Sequence, residues 1–348
     1  MKTLPVPDFF DPGQLDQVWR VPYAERAEQA SEWAQQYDLQ PASSDRTRTW
    51  LMLVDVQNTF CVPGFELYVA GRSGSGAVDD NRRLCEFVYR NLGTITKITA
   101  TMDTHQAAQV FHPLFLVDEQ GKHPQPYTNI SAKEVRSGKW RFNPALAGQF
   151  GITSEYGQER LIHYTATLEE RGKYALTIWP YHAMLGGIGH ALVSSVAEAI
   201  FFHSIARLAR PEYDVKGSQP FTEHYSVIGP EVEQGPRGEK LGEHNPRFIE
   251  TLKQVDRLII AGQAKSHCVA WTIADLLDDL RQEDPALAKK IFLLEDCTSP
   301  VVVPGADYTE QADLAFERFA AAGMQIVKSS DDFLNGDLRA QSARKSPF

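Results

Sequence analysis

The 348-residue sequence lacks the features that mark membrane, secreted and nucleic-acid-binding proteins. It has no run of 18 or more uncharged apolar residues, so a transmembrane helix is not expected. It shows no apolar signal-peptide core, and its four cysteines are too widely spaced for a small disulfide scaffold or a CxxC metal site. We therefore expect a cytoplasmic protein with reduced cysteines. A formal net charge of −10 disfavours binding to nucleic acids and to anionic membranes.

Apolar runs alternate with helical patterns along most of the chain, which predicts an α/β fold: a three-layer αβα arrangement around a mostly parallel sheet. Strands are predicted at residues 49–56, 95–102, 257–262, 290–295 and 324–327, with an extended segment around Lys216. Helices are predicted at 22–37, 81–91, 190–208, 245–255, 267–281 and 309–322. Asp79 and Asp80 are expected to cap the helix at 81–91.

The length suggests two domains, but the pattern favours one. We predict a single α/β domain over residues 49–335, an N-terminal extension over 1–48 and a C-terminal tail over 336–348. Residues 106–178 lose the alternation of strands and helices, so we predict a large insertion there, forming a lid or one wall of a pocket.

Reactive side chains follow several of the predicted strands. Asp55 comes after the first strand, Asp103 and His105 end the second, and Cys268 lies beyond the strand at 257–262. Ligands in open α/β sheets bind beyond the carboxyl ends of the strands. These side chains, together with Lys216, are therefore expected to reach one cleft.

Taken singly, each of these residues has an ordinary structural interpretation as well. Cys268 begins a predicted helix, whose N-terminus favours an anion and lowers a thiol pKa, but cysteines are also often buried and inert. Asp55 is equally typical of a turn. Lys216 taken alone is more typical of a solvated surface than of a site.

Five short motifs together narrow these alternatives. In chain order they are DVQNTFC at 55–61, DTH at 103–105, WPYH at 179–182, KG at 216–217 and GQAKSHCV at 262–269. This series resembles the nicotinamidases, within the isochorismatase-like cysteine hydrolase superfamily. The resemblance covers residues 49–327 apart from the insertion, which replaces a much shorter connection in typical members.

The resemblance implies an amidohydrolase that converts nicotinamide to nicotinate and ammonia through a thioester. Cys268 would be the nucleophile, Asp55 the base and Lys216 their electrostatic partner. The backbone N–H groups of Ala264 and Cys268 would bind the oxyanion, and a cis peptide bond would precede Ala264. A homo-oligomer and a small-molecule amide substrate are also implied.

The resemblance further implies a divalent metal held by Asp103, His105 and His182. One carboxylate and two imidazoles suit Zn²⁺, with Fe²⁺ or Mn²⁺ as alternatives. His112 is a weaker candidate for a further ligand, because its spacing differs from that of the family. Without the resemblance, the two histidines would be ordinary polar residues of a cleft.

Phe60 and Trp179 match positions that line the substrate ring in the family, although both are equally typical of a hydrophobic core. Phe221 and Tyr225, just after Lys216, are further candidates that match no family position. Three other functions stay open. The first is a metal-independent cysteine hydrolase acting on another amide, a ureide or a carbamoyl compound. The second is a non-catalytic relative used for binding or assembly. The third is hydrolysis of a vinyl ether, which needs no cysteine; Cys268, Lys216 and Asp55 together argue against the last two.

Overall fold

The computed structural model describes residues 3–334, and within them a six-stranded sheet lies at the centre. Its strands are Thr49–Val54 (β1), Lys97–Asp103 (β2), Glu212–Lys216 (β3), Arg257–Gly262 (β4), Ile291–Leu294 (β5) and Gln325–Val327 (β6). All neighbours run parallel, in the order β6-β5-β4-β1-β2-β3. The C-terminal tail predicted over 336–348 lies outside the described residues.

Helices cover both faces of this sheet. The longer ones are Tyr23–Gln36 (α1), Gly76–Arg90 (α2), Ser154–Glu170 (α3), Ser194–Ala206 (α4), Arg247–Gln254 (α5), Cys268–Glu283 (α6) and Thr309–Ala321 (α7). Leu51 and Leu53 of β1 share a core with α2 and α4, whereas Trp50 and Met52 share a core with α5, α6 and α7. Alternate side chains of a strand point to opposite faces, so the two cores define three layers. The predicted αβα architecture is confirmed.

The connections out of β1 and β4 determine where a ligand binds. From β1 the chain moves to β2 on one side, and from β4 it moves to β5 on the other. Such a switch point opens a crevice beyond the carboxyl ends of the two adjacent strands. Asp55 follows β1 directly, and the loop 263–267 follows β4, so both border this crevice.

The segment predicted as an insertion is ordered and shares the main core. Besides α3 it contains short strand pairs, Leu116–Val117 with Arg141–Phe142 and Asn129–Ile130 with Leu176–Thr177. Phe115, Phe142 and Leu161 belong to the same buried cluster as Leu51 of β1. Other short elements of the chain include the α-helices Asn58–Cys61, Ala132–Arg136 and Ala147–Phe150 and the strand pair Val302–Val303 with Ala306–Asp307.

The N-terminal residues also pack on the central domain. α1 lies against α4, and Arg26 of α1 donates a 2.6 Å hydrogen bond to Glu198 of α4. Both side chains are at least nine-tenths buried, so the N-terminal extension forms an outer layer over α4. No helix within residues 3–334 has the length and apolarity that crossing a membrane requires.

The predicted start of α2 is wrong. Asp79 and Asp80 were expected to precede the helix, but it begins at Gly76 and includes both. Asp80 is buried and bonds Arg83 of the same helix at 2.9 Å and Gln263 of the loop after β4 at 2.9 Å. A tertiary contact, rather than capping, therefore accounts for this aspartate. The helix predicted from residue 190 likewise begins later, at Ser194.

Candidate active site

A buried lysine connects the predicted catalytic residues. Lys216 is the last residue of β3, and its Nζ lies 2.9 Å from Asp55 Oδ2 and 2.9 Å from Asp103 Oδ1. The same Nζ lies 3.5 Å from Cys268 Sγ and donates to the carbonyl of His224 at 2.8 Å. Burial alone would lower the pKa of Lys216, but the charges of Asp103 and Asp55 outweigh burial and raise it well above its ordinary value. The lysine is therefore a fixed positive charge.

Asp55 is fully buried at the residue after β1. Thr101 of β2 donates to its Oδ1 at 2.5 Å and accepts from its backbone N–H at 3.1 Å. Burial raises the pKa of Asp55 although Lys216 and the Thr101 hydrogen bond oppose the rise. A carboxylate with a raised pKa is a better proton acceptor than an ordinary exposed aspartate.

Cys268 is the first residue of α6, and its thiol and the Asp55 carboxylate both lie against Lys216 Nζ. The lowered thiol pKa expected from the helix N-terminus is wrong. Burial raises the pKa of Cys268 well above its ordinary value, and the nearby charge of Lys216 does not offset the loss of water. The resting thiol is therefore protonated, and a base must take its proton when it attacks. Asp55, which contacts the same lysine, is the candidate base.

Asp103, His105 and His182 converge as a buried group whose candidate ligand atoms all lie within 4.8 Å of one another. His105 Nε2 lies 2.7 Å and His182 Nε2 lies 3.7 Å from Asp103 Oδ2. Burial would raise the pKa of Asp103, but His105 and Lys216 outweigh burial and hold it well below its ordinary value. The carboxylate is therefore ionised, as a metal ligand must be.

The hydrogen bonds behind the two imidazoles also fit a metal. His105 Nδ1 bonds the carbonyl of Gly217 at 3.0 Å, and His182 Nδ1 bonds the carbonyl of Pro180 at 2.8 Å. A carbonyl accepts only, so each Nδ1 carries hydrogen and each Nε2 is directed toward Asp103. This is the arrangement that orients metal-binding histidines in proteins. One carboxylate and two Nε2 atoms can hold Zn²⁺, Fe²⁺ or Mn²⁺ with further positions open.

His112, the weaker candidate, is fully buried beside this group. Its ring centre lies 5.8 Å from that of His105 and 5.7 Å from that of His182. It falls outside the set of converging ligand atoms. Burial and the two neighbouring histidines lower its pKa to about 3, so it is a neutral imidazole at physiological pH.

The expected oxyanion donors lie at the end of β4. The peptide bond between Gln263 and Ala264 is cis, which confirms that expectation. Within residues 3–334, no carbonyl accepts a hydrogen bond from the backbone N–H of Ala264 or of Cys268. Both groups are therefore available to a ligand, although their role as an oxyanion hole stays a prediction.

A single cavity joins these groups. It is lined by Phe60, Trp179, Ala264 and Cys268 as well as by the Asp-His-His group. The sequence-predicted aromatic residues thus line the same space as the thiol. Of the two unaligned aromatic candidates, Tyr225 also lines the cavity and Phe221 does not. Other lining residues were missed or left unassigned by sequence reasoning: Leu67, Val69, Phe111, Glu223, His224, His267 and Val301.

Most of the missed residues lie in irregular segments, where no periodicity indicates which side chains point inward. Phe111 comes from the segment 106–178, so that segment supplies part of one wall. Glu223 and Tyr225 come from the loop after β3. The only sequence signal for them is their closeness to Lys216.

The fold and the site define an α/β protein with a buried cysteine–aspartate–lysine cluster beside an Asp-His-His group. No protein-family model matches the chain, and no curated protein matches it. In structure, the chain is similar to an Acinetobacter baumanii nicotinamidase and pyrazinamidase, with 16% identity, 83% of this chain and 99% of that chain covered, and a TM-score of 0.48. It is also similar to a yeast nicotinamidase, at 18% identity, 80% and 99% coverage and a TM-score of 0.49. A Pyrococcus horikoshii pyrazinamidase in complex with zinc has 17% identity, 80% and 98% coverage and a TM-score of 0.42.

Proposed function

We propose that this chain is a cysteine hydrolase that cleaves a small carboxamide, with nicotinamide as the first substrate to test. The observation that carries the proposal is the contact of Lys216 Nζ with Asp55, Asp103 and the Cys268 thiol, all within 3.5 Å, where the thiol lines a cavity. The motif order described above supports the choice of an aromatic amide.

In the first half of the reaction, Cys268 Sγ attacks the carbonyl carbon of the amide while Asp55 takes the thiol proton. The new C–S bond leaves a negative charge on the carbonyl oxygen, which the N–H groups of Ala264 and Cys268 would stabilise by donating hydrogen bonds to it. Asp55 then passes the proton to the amide nitrogen, the C–N bond breaks, and ammonia leaves. A thioester on Cys268 remains.

In the second half, water attacks the thioester carbon and gives its proton to Asp55. The C–S bond breaks, the carboxylic acid product leaves, and the thiol is protonated again. Throughout both steps Lys216 balances the negative charge that alternates between Asp55, the sulfur and the oxygen. Because Lys216 is held by two carboxylates, it needs no movement to do this.

Asp103, His105 and His182 would hold a divalent metal, with Zn²⁺ the best match to the donor set. When bound, the ion supplies a Lewis acid that can hold a ring nitrogen or another lone pair of the substrate. Phe60 and Trp179 then flank a flat ring, since both line the same cavity.

The test is an ammonia-release assay on nicotinamide, pyrazinamide, an aliphatic amide and a ureide, with and without a chelator. We expect the aromatic amides to be preferred and the chelator to reduce turnover. If neither the chelator nor His105→Ala lowers the rate of hydrolysis, the metal-independent alternative is favoured.

Cys268→Ala should lower kcat by about 10³-fold or more, because the thioester can no longer form. Cys85→Ala is the matched control: this cysteine is buried in α2 and lies outside the cavity lining. It should keep the wild-type rate. Mass spectrometry of the quenched wild type should show an acyl group on Cys268, and full turnover by Cys268→Ala would contradict the mechanism.

A further inference from the structure

The cavity contains a carboxylate that the proposed reaction does not use. Glu223 lines the cavity and is only 3% exposed. Tyr164 donates to its Oε2 at 2.7 Å and Tyr225 donates to its Oε1 at 2.6 Å. Each carboxylate oxygen has room to accept a further hydrogen bond. The two tyrosines therefore fix the carboxylate and leave it able to bind a ligand.

A nearby glutamate, Glu231, has the positively charged partner that Glu223 does not have among residues 3–334. Glu231 is equally buried, but Lys173 Nζ lies 3.0 Å from its Oε2. Across residues 3–334, no lysine or arginine forms an ion pair with Glu223. A buried carboxylate without a cation is costly, and two neutral hydroxyl donors offset only part of that cost.

We propose that Glu223 is a specificity-determining residue that binds a nitrogen-bearing group of the substrate other than the scissile amide. The ligand class is an aromatic or heteroaromatic carboxamide that carries an amino or aminomethyl substituent. Its N–H or ammonium group donates to Glu223 and supplies the missing positive partner. This inference rests on the proposed carboxamide hydrolysis and deepens it.

The surroundings of Glu223 favour such a substituent over a purely apolar one. Tyr225 also accepts from Trp179 Nε1 at 3.0 Å, so the tyrosine, the tryptophan and the glutamate form one bonded unit at the cavity wall. An aromatic ring placed against Trp179 would bring its substituents close to this unit. Burial raises the pKa of Glu223 to about 7, and a bound cation would favour its ionised form.

The experiment compares kcat/KM for pyridine-3-carboxamides in matched pairs: amino against methyl, and aminomethyl against ethyl, at several ring positions. For at least one position, the wild type should prefer the nitrogen-bearing member by roughly 10-fold or more, the range of a charge-assisted hydrogen bond. Glu223→Gln keeps the shape and removes the charge, so the preference should fall below about 3-fold. Glu231→Gln is the matched control and should keep the preference.

Equal rates within every pair in the wild type, or a preference that survives Glu223→Gln, would overturn the inference while leaving carboxamide hydrolysis intact. If no compound is hydrolysed, the proposed function itself fails. Calorimetric binding of the same compound pairs to Cys268→Ala then tests the role of Glu223 by itself. Tighter binding of the amines that Glu223→Gln abolishes supports the inference, and equal binding overturns it.

Discussion

The buried lysine of the site offers a quantitative test of its electrostatics. Replacing Lys216 with methionine keeps an unbranched, flexible side chain but leaves Asp55 and Asp103 without the cation that both contact at 2.9 Å. Removing one partner of a buried ion pair costs about 3–5 kcal/mol, because the remaining charge stays buried and uncompensated. We expect Lys216→Met to lower the free energy of unfolding by that amount.

Lys253→Met is the control, because Lys253 forms an ion pair of similar length, 2.7 Å, with Glu283 on the surface. The side chains of Lys253 and Glu283 are both about half exposed, and exposed ion pairs contribute about 0–1 kcal/mol to the free energy of unfolding. The double variant Lys216→Met/Asp55→Asn should recover part of the loss, since it removes one of the two unpaired carboxylates.

The measurement is urea unfolding at pH 7, followed by tryptophan fluorescence, in metal-free buffer. A two-state fit gives the free energies, and equal slopes against urea are required for comparing them. The reasoning would be refuted if Lys216→Met cost no more than Lys253→Met. It would also be refuted if the double variant were less stable than Lys216→Met alone.

Three further predictions follow from single contacts. A Cβ on Gly217 would lie 2.6 Å from the His105 ring, and the φ of +87° at this position suits glycine. Gly217→Ala should therefore weaken Zn²⁺ binding about 10- to 100-fold, measured by calorimetry, and wild-type affinity would contradict this. Thr101→Val removes the hydroxyl that donates to Asp55 and holds its pKa down, so the pKa of Asp55 should rise. The acidic limb of the pH profile of kcat/KM should then move to higher pH, and an unchanged limb would argue against Asp55 as the base. Burial raises the pKa of Asp80 from its ordinary value of 3.8 to about 6, so the folded state binds the proton more tightly. From pH 4 to pH 6 the wild type should therefore lose roughly 2 kcal/mol of stability relative to Asp80→Asn, and a gain measured by urea unfolding would contradict the assignment.

The central sheet was accessible from the sequence because its strands are buried on both faces. Thr49–Val54 and Arg257–Gly262 are buried at every position, and the sequence of such a strand is a nearly continuous run of apolar residues. Short βα connections then place the residues after each strand at one edge. Asp55, Asp103 and Cys268 could therefore be expected to meet before any distance was known, while their catalytic roles stay predictions.

Other features depend on contacts between segments that are distant in sequence. Asp80 resembles a helix cap locally, but its hydrogen bond to Gln263 belongs to the tertiary structure. Cys268 begins a helix, as predicted, yet burial and not the helix N-terminus dominates its pKa. Local sequence shows which groups can ionise but not how much water the folded chain removes from them.

The sequence by itself determined the α/β architecture and the set of reactive residues, because apolar periodicity and short motifs are local properties. Only the tertiary structure decided how those residues are paired. It placed Lys216 against two carboxylates at once, and among residues 3–334 it showed no lysine or arginine paired with Glu223 in the cavity wall. The first follows from strand register, which sets Lys216 of β3 beside Asp103 of β2, and the second from the loop after β3. Neither register nor loop packing has a periodic signature in the sequence.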